Sequence, residues 1–278
     1  MKEPDPGSIR NLALLSEYDG TAFCGWQIQS GQRTVQQVLR DALIRLTGES
    51  ELQLTGCSRT DAGVHARGHV SHFHTRCRIP VDRFPLALNS VLPSDVSVKA
   101  ACPVYAGFNA RFAARAKTYT YRIWNQQTRP AIGRNQVCHV PGQLDLAAVR
   151  QTLPILTGRH DFQAFRDTGG NNRSTVRNLF RIELAVEGPL VVLTYQGDGF
   201  LYHMVRVITG TLVAVAQGKL TPEQVAGILA GGDRRLAGKT MPPEGLCLEQ
   251  VLYDPPLFIN QTEQAGPEGD NHVQSTLE

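Results

Sequence analysis

An α+β fold assembled from two similar units is what the sequence predicts, and three observations predict it. Segments with the two-residue period of strands alternate with segments whose apolar residues follow helical spacing. One plan occurs twice: a strand, then Asp19-Gly20 and Phe23, then a helix; and later a strand, then Gly197-Asp198-Gly199 and Phe200, then a helix. The chain is also long enough, at 278 residues and 41% hydrophobic, to bury the core of one large or two small domains. The antiparallel sheets of two such units could join side by side. The division expected is an N-terminal α+β domain over 8–110, a second over 111–258, and a polar, acidic tail over 259–278 predicted to be disordered.

Each element has a local cause. Residues 12–18 read as a strand closed by Asp19-Gly20. Thr34 and Gln37 have capping-box spacing, and Val35, Val38, Leu39, Ala42, Leu43 and Leu46 keep one helical face up to Gly48. Short strands are predicted over 52–55 and 69–75, and an apolar helix over 84–92 ending at Pro93. Within 111–124 the period changes to two, with Tyr119, Tyr121 and Ile123 on one strand face. Asp145 is placed to cap a helix carrying Leu146, Val149 and Leu153. Gly169 to Asn172 reads as a mobile loop, and 179–186 and 190–195 as strands joined by Gly188-Pro189. An apolar helix follows over 203–216, and another starts at Thr221-Pro222-Glu223-Gln224, where cap, first-turn proline and capping-box glutamine coincide. A last strand over 246–252 stops at Pro255-Pro256.

Between the strands over 52–55 and 69–75 lies Gly56-Cys57-Ser58-Arg59-Thr60-Asp61-Ala62-Gly63-Val64-His65-Ala66. Gly56 and Gly63 bracket it and permit positive φ, so the loop can reverse sharply and hold Asp61 with one side open. An Asx-turn, in which Asp61 merely satisfies backbone N–H groups, accounts for the same residues.

The charge is unevenly placed. The net is +3, but residues 260–278 hold four acids and no Lys or Arg, which leaves +7 on the rest. Between Asp95 and Asp145 there is no acid, against Lys99, Arg111, Arg115, Lys117, Arg122, Arg129 and Arg134. Such a run fits either a solvated face or a polyanion partner, and the interleaved tyrosines favour RNA. Lys117, Arg122 and Arg129 are the expected phosphate contacts. Six scattered cysteines form no Cys-x-x-Cys pair, which argues against a structural zinc site or redox motif. The N-terminus shows no apolar signal region and no run reaches transmembrane length, so a reducing, cytoplasmic setting without membrane attachment is expected.

Arg-Thr-Asp-Ala-Gly-Val-His-Ala at 59–66 resembles the active-site signature of the tRNA pseudouridine synthase A family. Ordered matches extend along the chain: Glu17-Tyr18-Asp19-Gly20 with Gly25-Trp26-Gln27, Phe108-Asn109-Ala110-Arg111-Phe112, Lys117-Thr118-Tyr119-Thr120-Tyr121, His160-Asp161-Phe162, Phe200 to Arg206, and Pro243-Glu244-Gly245-Leu246. The resemblance implies one continuous mixed, mainly antiparallel sheet flanked by helices, with a central active-site cleft. It implies isomerisation of uridine to pseudouridine at positions 38, 39 and 40 of the tRNA anticodon stem-loop, by a homodimer. That reaction breaks a C–N bond and makes a C–C bond between one sugar and one base, so no cofactor and no metal is expected.

On this resemblance Asp61 is the catalytic carboxylate. Arg206 matches the arginine that pairs with it; a solvated helix arginine is the plainer alternative. Tyr119 matches the tyrosine that stacks on the target base, although a strand tyrosine commonly just packs. Arg59 resembles the residue that guides or replaces the displaced base, and a phosphate contact would explain it equally. Leu246 matches a pocket-floor position or is ordinary strand core. Two other classes stay open: a zinc-dependent RNA hydrolase using His65, His69, His72 and His74, and a non-catalytic RNA-binding protein.

Overall fold

The structure is a computed structural model describing residues 8–169 and 173–258. Most of the loop predicted around Gly169 to Asn172, and the acidic tail over 259–278, lie outside the described residues. In chain order the elements are β1 (Arg10–Tyr18), α1 (Val35–Thr47), β2 (Leu54–Gly56), β3 (His65–Thr75), α2 (Phe84–Asn89), β4 (Val96–Val104), β5 (Ala116–Trp124), β6 (Cys138–His139), α3 (Leu146–Leu156), β7 (Gly158–Asp161), β8 (Val176–Glu187), β9 (Leu190–Gly197), α4 (Met204–Ala216), α5 (Pro222–Gly231) and β10 (Leu246–Leu252). Ten strands among the described residues form one mixed sheet, in the order β4-β1-β3-β10-β5-β9-β8-β7, with β2 on β3 and β6 on β5.

The sheet is mainly antiparallel, and the two parallel pairings are β10 with β3 and β5 with β6. The first of these is the seam between the halves. There Cys247 faces His65 and Leu248 faces Ala66, while the other edge of β10 pairs antiparallel with β5. Strands near the seam are covered on both sides, so Thr118 and Thr120 are buried along with Tyr119 and Tyr121. The expected single aromatic face of β5 is therefore only half the picture: its other face is covered too. In the N-terminal half α1 packs on α2; in the other half α3 packs on both α4 and α5, and α4 lies against β5.

Local chemistry explains several helix ends. Asp145 accepts from Ala147 and Ala148 N–H at 3.0 Å, and Thr221 with Gln224 forms the reciprocal capping box. Gly48 ends α1 in the left-handed region at φ 75°. The capping box expected at Thr34 does not form. Thr34 is fully buried with its hydroxyl unpartnered among the described residues, while Gln37 donates one turn onward to Asp41. Gln36 does the bridging instead, accepting from Ile28 N–H and donating to Leu54 O.

The differences from expectation include two strand starts and three strands, β4, β6 and β7, that the sequence does not predict. β3 starts at His65, inside the signature loop, because its first residues pair with β10. β5 starts at Ala116, since the Asn109 side chain accepts from Arg111 and Phe112 N–H and turns the chain there. β4 was not foreseen at all. It is an outer strand on β1, and its partly exposed Ala100–Ala101–Cys102 stretch lacks a clean two-residue alternation.

Candidate active site

The signature loop is held by the first of the two repeated strand–turn–helix segments. Gly63 N–H donates to Phe23 O, Trp26 N–H donates to Thr60 O, and Tyr18 Oη bonds Thr60 Oγ1 at 2.8 Å. Gly25 sits at φ +85°, and a Cβ there would come within 2.6 Å of Thr60 O, so the close approach excludes any larger residue. Gly63 is at φ +79°, but Gly56 is not in the left-handed region; its small size is needed because the Trp26 indole lies against it. Glu17-Tyr18-Asp19-Gly20 and Gly25-Trp26-Gln27 thus belong to the cradle of the Asp61 loop.

His69 completes that cradle from β3. Its ring stacks on Trp26 at 3.7 Å, and Nε2 donates to Ser58 O at 3.0 Å. Burial holds the imidazole neutral and pulls its pKa down to about 3. A histidine depressed below its unfolded value of 6.5 binds its proton only in the unfolded chain across that window. Its contribution to stability is therefore complete above pH 6.5 and is lost as pH falls toward 3, at about 1.4 kcal/mol per pH unit. Calorimetry should show stability falling between pH 6 and 4 more steeply in the parent than in His69→Gln. Equal slopes would remove His69 from this account.

The second repeated segment faces the loop from the other half of the chain. Arg206, on the first turn of α4, donates Nη1–H to Asp61 Oδ2 at 3.1 Å and Nε–H to Met241 O at 2.7 Å. Only 12% of the Arg206 side chain is exposed, and a charge so enclosed needs the partners it has. His203 caps α4 with its backbone at φ 60° and is the one non-glycine residue at positive φ among the described residues. Such backbone costs about 1–3 kcal/mol. Its Nε2 lies 3.5 Å from Asp61 Oδ2 and its Nδ1 2.7 Å from Asp167 Oδ2. Asp167 also receives Arg234 Nε–H at 2.7 Å and Thr240 Oγ1–H at 2.6 Å. Burial alone would raise the Asp167 carboxyl, but the bonds from Thr240, His203 and Arg234 outweigh it and bring it down to about 2.

Asp61, Arg59, Tyr119, Arg206 and Leu246 all line one cleft of about 910 Å³. Tyr119 is buried, its ring edge-on to Phe200 at 5.1 Å and its hydroxyl 3.0 Å from Ser58 Oγ. Burial raises its phenol well above the usual tyrosine range, so it stays neutral. Leu246 is a buried residue at the start of β10, and Arg59 is exposed with no hydrogen bond among the described residues. Below this wall Tyr121 Oη donates to Pro242 O, which supports the segment that meets Arg206.

Two of the expected phosphate contacts lie elsewhere. Arg122 pairs with Glu249 at 3.2 Å, alongside Thr120 and Arg67, and borders a separate, smaller cavity. Lys117 lines the cleft itself and is largely enclosed; burial lowers its ammonium, and Arg111 and Arg177 add repulsion. Arg129 is exposed. The zinc alternative loses its ligands, because His65 is engaged by Gly20 N–H and Asn135 O, His69 by Ser58 O, His72 by Ala110 N–H and His74 by Ala106 O. No group of three His, Cys, Asp or Glu poised to hold a metal ion occurs among the described residues.

Sequence reasoning missed Asp167, Arg234 and Thr240, which carry no local signature, and read His203 only as a neighbour of Arg206. The signal that could have found His203 is its place in Tyr202-His203-Met204-Val205-Arg206, three residues before the arginine and on the same helical turn.

A family model described as tRNA pseudouridine synthase matches residues 14–113 and 154–254, one stretch in each half. The tRNA pseudouridine synthase A of Ruminiclostridium cellulolyticum is 47% identical over 246 residues, covering 88% of this chain and 100% of that protein. The enzyme of the same name from Citrifermentans bemidjiense is 48% identical over 246 residues, covering 88% and 98%. Among solved structures, a Cbf5-Nop10-Gar1 complex aligns at TM-score 0.36 and 11% identity, over 88% of this chain and 59% of the other, too weak a likeness to argue from.

Proposed function

Because this chain belongs to the tRNA pseudouridine synthase family, we propose that it isomerises uridine to pseudouridine at positions 38, 39 and 40 of the tRNA anticodon stem-loop, with Asp61 as the catalytic carboxylate. The observation that carries the reading is the arrangement at Asp61. Arg206 and His203 both approach Oδ2, whereas Oδ1 accepts no hydrogen bond among the described residues. One carboxylate oxygen is thus available to a nucleoside in the cleft while the other is held by the Arg206 guanidinium and faced by the His203 ring.

The reaction breaks C1′–N1 and forms C1′–C5; C5 loses a proton and N1 gains one. Asp61 Oδ1 is the group that acts on the nucleoside. Tyr119 supplies the stacking face for the target base, a contact worth about 1–3 kcal/mol against an extraction cost of a few kcal/mol. Leu246 forms the apolar floor, and Arg59 at the rim guides or replaces the displaced base. Arg111 and Arg59 beside the cleft suit the phosphates of the anticodon arm. The same reading includes a homodimer working in the cytoplasm, which the free cysteines and the exposed Tyr105 and Phe112 suit. It includes a division near residue 110 into two α+β units, supported by the seam between β3 and β10.

The test is to treat unmodified tRNA transcripts with the purified protein and map pseudouridine by nucleotide. Modification confined to 38–40 is expected; modification elsewhere, or none, would overturn the assignment. Tyr119→Leu separates catalysis from simple RNA binding. Its turnover should fall far more than its tRNA affinity, because phosphate contacts dominate binding. Tyr119→Phe loses only the bond to Ser58 and should keep substantial activity. Parallel losses of affinity and turnover in Tyr119→Leu would return this tyrosine to a packing role.

A further inference from the structure

Asp61 is the first of two carboxylates in a chain of charged and polar groups that reaches well behind the cleft. From the cleft inward the order is Arg206, Asp61, His203, Asp167 and Arg234. Several features show that His203 is placed there at some cost. Its backbone adopts the left-handed conformation that glycine favours, and its ring is clamped between Tyr202, stacked at 3.8 Å, and Asp167. Asp167 is itself fixed by three donors from two distant parts of the chain: His203, and Arg234 with Thr240. Arg234 is tied further to Gly238 O and to Thr240 Oγ1. This is a built support rather than a surface ion pair.

The geometry also constrains the proton. Asp167 is an acceptor, so the 2.7 Å contact requires a hydrogen on His203 Nδ1. Nε2 then faces the Asp61 carboxylate at 3.5 Å. A neutral ring would turn a lone pair toward that carboxylate, whereas a doubly protonated ring turns an N–H toward it. With carboxylates on both sides, the second arrangement is favoured.

We propose that His203 is a positioning residue for Asp61: an imidazolium held by Asp167 that, together with Arg206, secures Asp61 Oδ2 and leaves Oδ1 directed to the nucleoside. The inference rests on Asp61 being the reacting carboxylate. It assigns a cation to each of two directions around one oxygen, so that neither rotation of the carboxyl nor its neutralisation competes with reaction. Asp167, Arg234 and Thr240 act at one further remove, by fixing the ring and its Nδ1 proton.

His203→Gly is the informative variant, because glycine adopts the native backbone conformation without strain and removes only the imidazole. In single-turnover and steady-state assays on a tRNA substrate, kcat should fall roughly 10²-fold. The KM for tRNA, governed by phosphate contacts, should move little. Thermal stability should hold. His203→Gln, which retains an N–H donor, should recover part of the rate, and Asp167→Asn should lower kcat in the same sense. Nitrogen-15 NMR of histidine-labelled protein should show both ring nitrogens of His203 protonated at neutral pH, with the signal changed in Asp167→Asn.

A kcat for His203→Gly within a few-fold of the parent overturns the proposal. So does a neutral-ring signature for His203. A joint loss of kcat, affinity and melting temperature, unrepaired by glutamine, would reduce the residue to a structural one and overturn it as well. Asp61→Asn, run alongside, keeps the two readings apart. An active Asp61→Asn removes the premise, whereas an inactive Asp61→Asn beside a fully active His203→Gly removes only the role of His203.

Discussion

Replacing Asp61 with Asn is expected to abolish pseudouridine formation while the protein still folds and binds tRNA. Asparagine matches aspartate in shape and its amide oxygen can still accept from Arg206 Nη1, so the loop anchored through Thr60 and Gly63 keeps its position. What disappears is the negative charge and, with it, the ability of Oδ1 to attack or to take a proton. A loss of roughly 10⁴-fold or more in turnover is expected, on the scale seen when a catalytic nucleophile is removed. Filter binding against salt should give nearly the parent slope, because no phosphate-contacting cation has changed. Pseudouridine mapping after prolonged incubation reads the residual rate. Turnover within ten-fold of the parent would dismiss Asp61 as the reacting group.

The second large effect belongs to Arg206. Arg206→Met keeps the length of the side chain among its apolar neighbours Met204, Val205, Val207 and Ile208 but deletes the guanidinium. Asp61 then loses its closest cation and Met241 O loses a hydrogen bond, in a site where both are largely enclosed. A fall in kcat of about 10²–10³-fold is expected. Arg206→Lys should recover little of it. The native group spans two acceptors at once, Nε to Met241 O and Nη1 to Asp61, and one ammonium on a flexible stem cannot reproduce that fork. Kinetics should be measured with circular dichroism on the same samples. A folded Arg206→Met enzyme with near-parental kcat would leave the guanidinium a structural prop.

Much of the fold was legible because its causes are local. The face of α1, the Asp145 cap of α3, the Thr221 capping box of α5, the β8–β9 hairpin and the span of β10 all follow from residues a few positions apart. The failures show the limit of such reasoning. Thr34 and Gln37 have capping-box spacing, yet burial of the hydroxyl and the pull of Asp41 on Gln37 decided otherwise. β4 was invisible because an outer strand needs no regular alternation to pair with β1. Arg122 looked like a phosphate ligand in an acid-free stretch, but Glu249, distant in sequence, sits beside it across the β5–β10 pairing.

The candidate site divides in the same way. Asp61 in its glycine-bracketed loop, Tyr119 on its strand and Arg206 on an apolar helix were each visible as residues, and their resemblance to one family's motifs was carried by short runs of sequence. Their meeting was not visible in any local pattern. Asp61 and Arg206 lie 145 positions apart, and they meet because β10 inserts between β3 and β5 and joins the two halves through one short parallel pairing. The period of a strand tells which face is buried, but not which strand lies alongside it. For the same reason the sequence by itself determined most of the elements, the family and the loop that carries Asp61. Only the tertiary structure decided that Arg206 and His203 converge on Oδ2, and that His203 stands between Asp61 and an Asp167–Arg234–Thr240 support drawn from two distant segments. Those contacts depend on distances across the sheet seam and on one strained residue at the start of α4, which no spacing along the chain encodes.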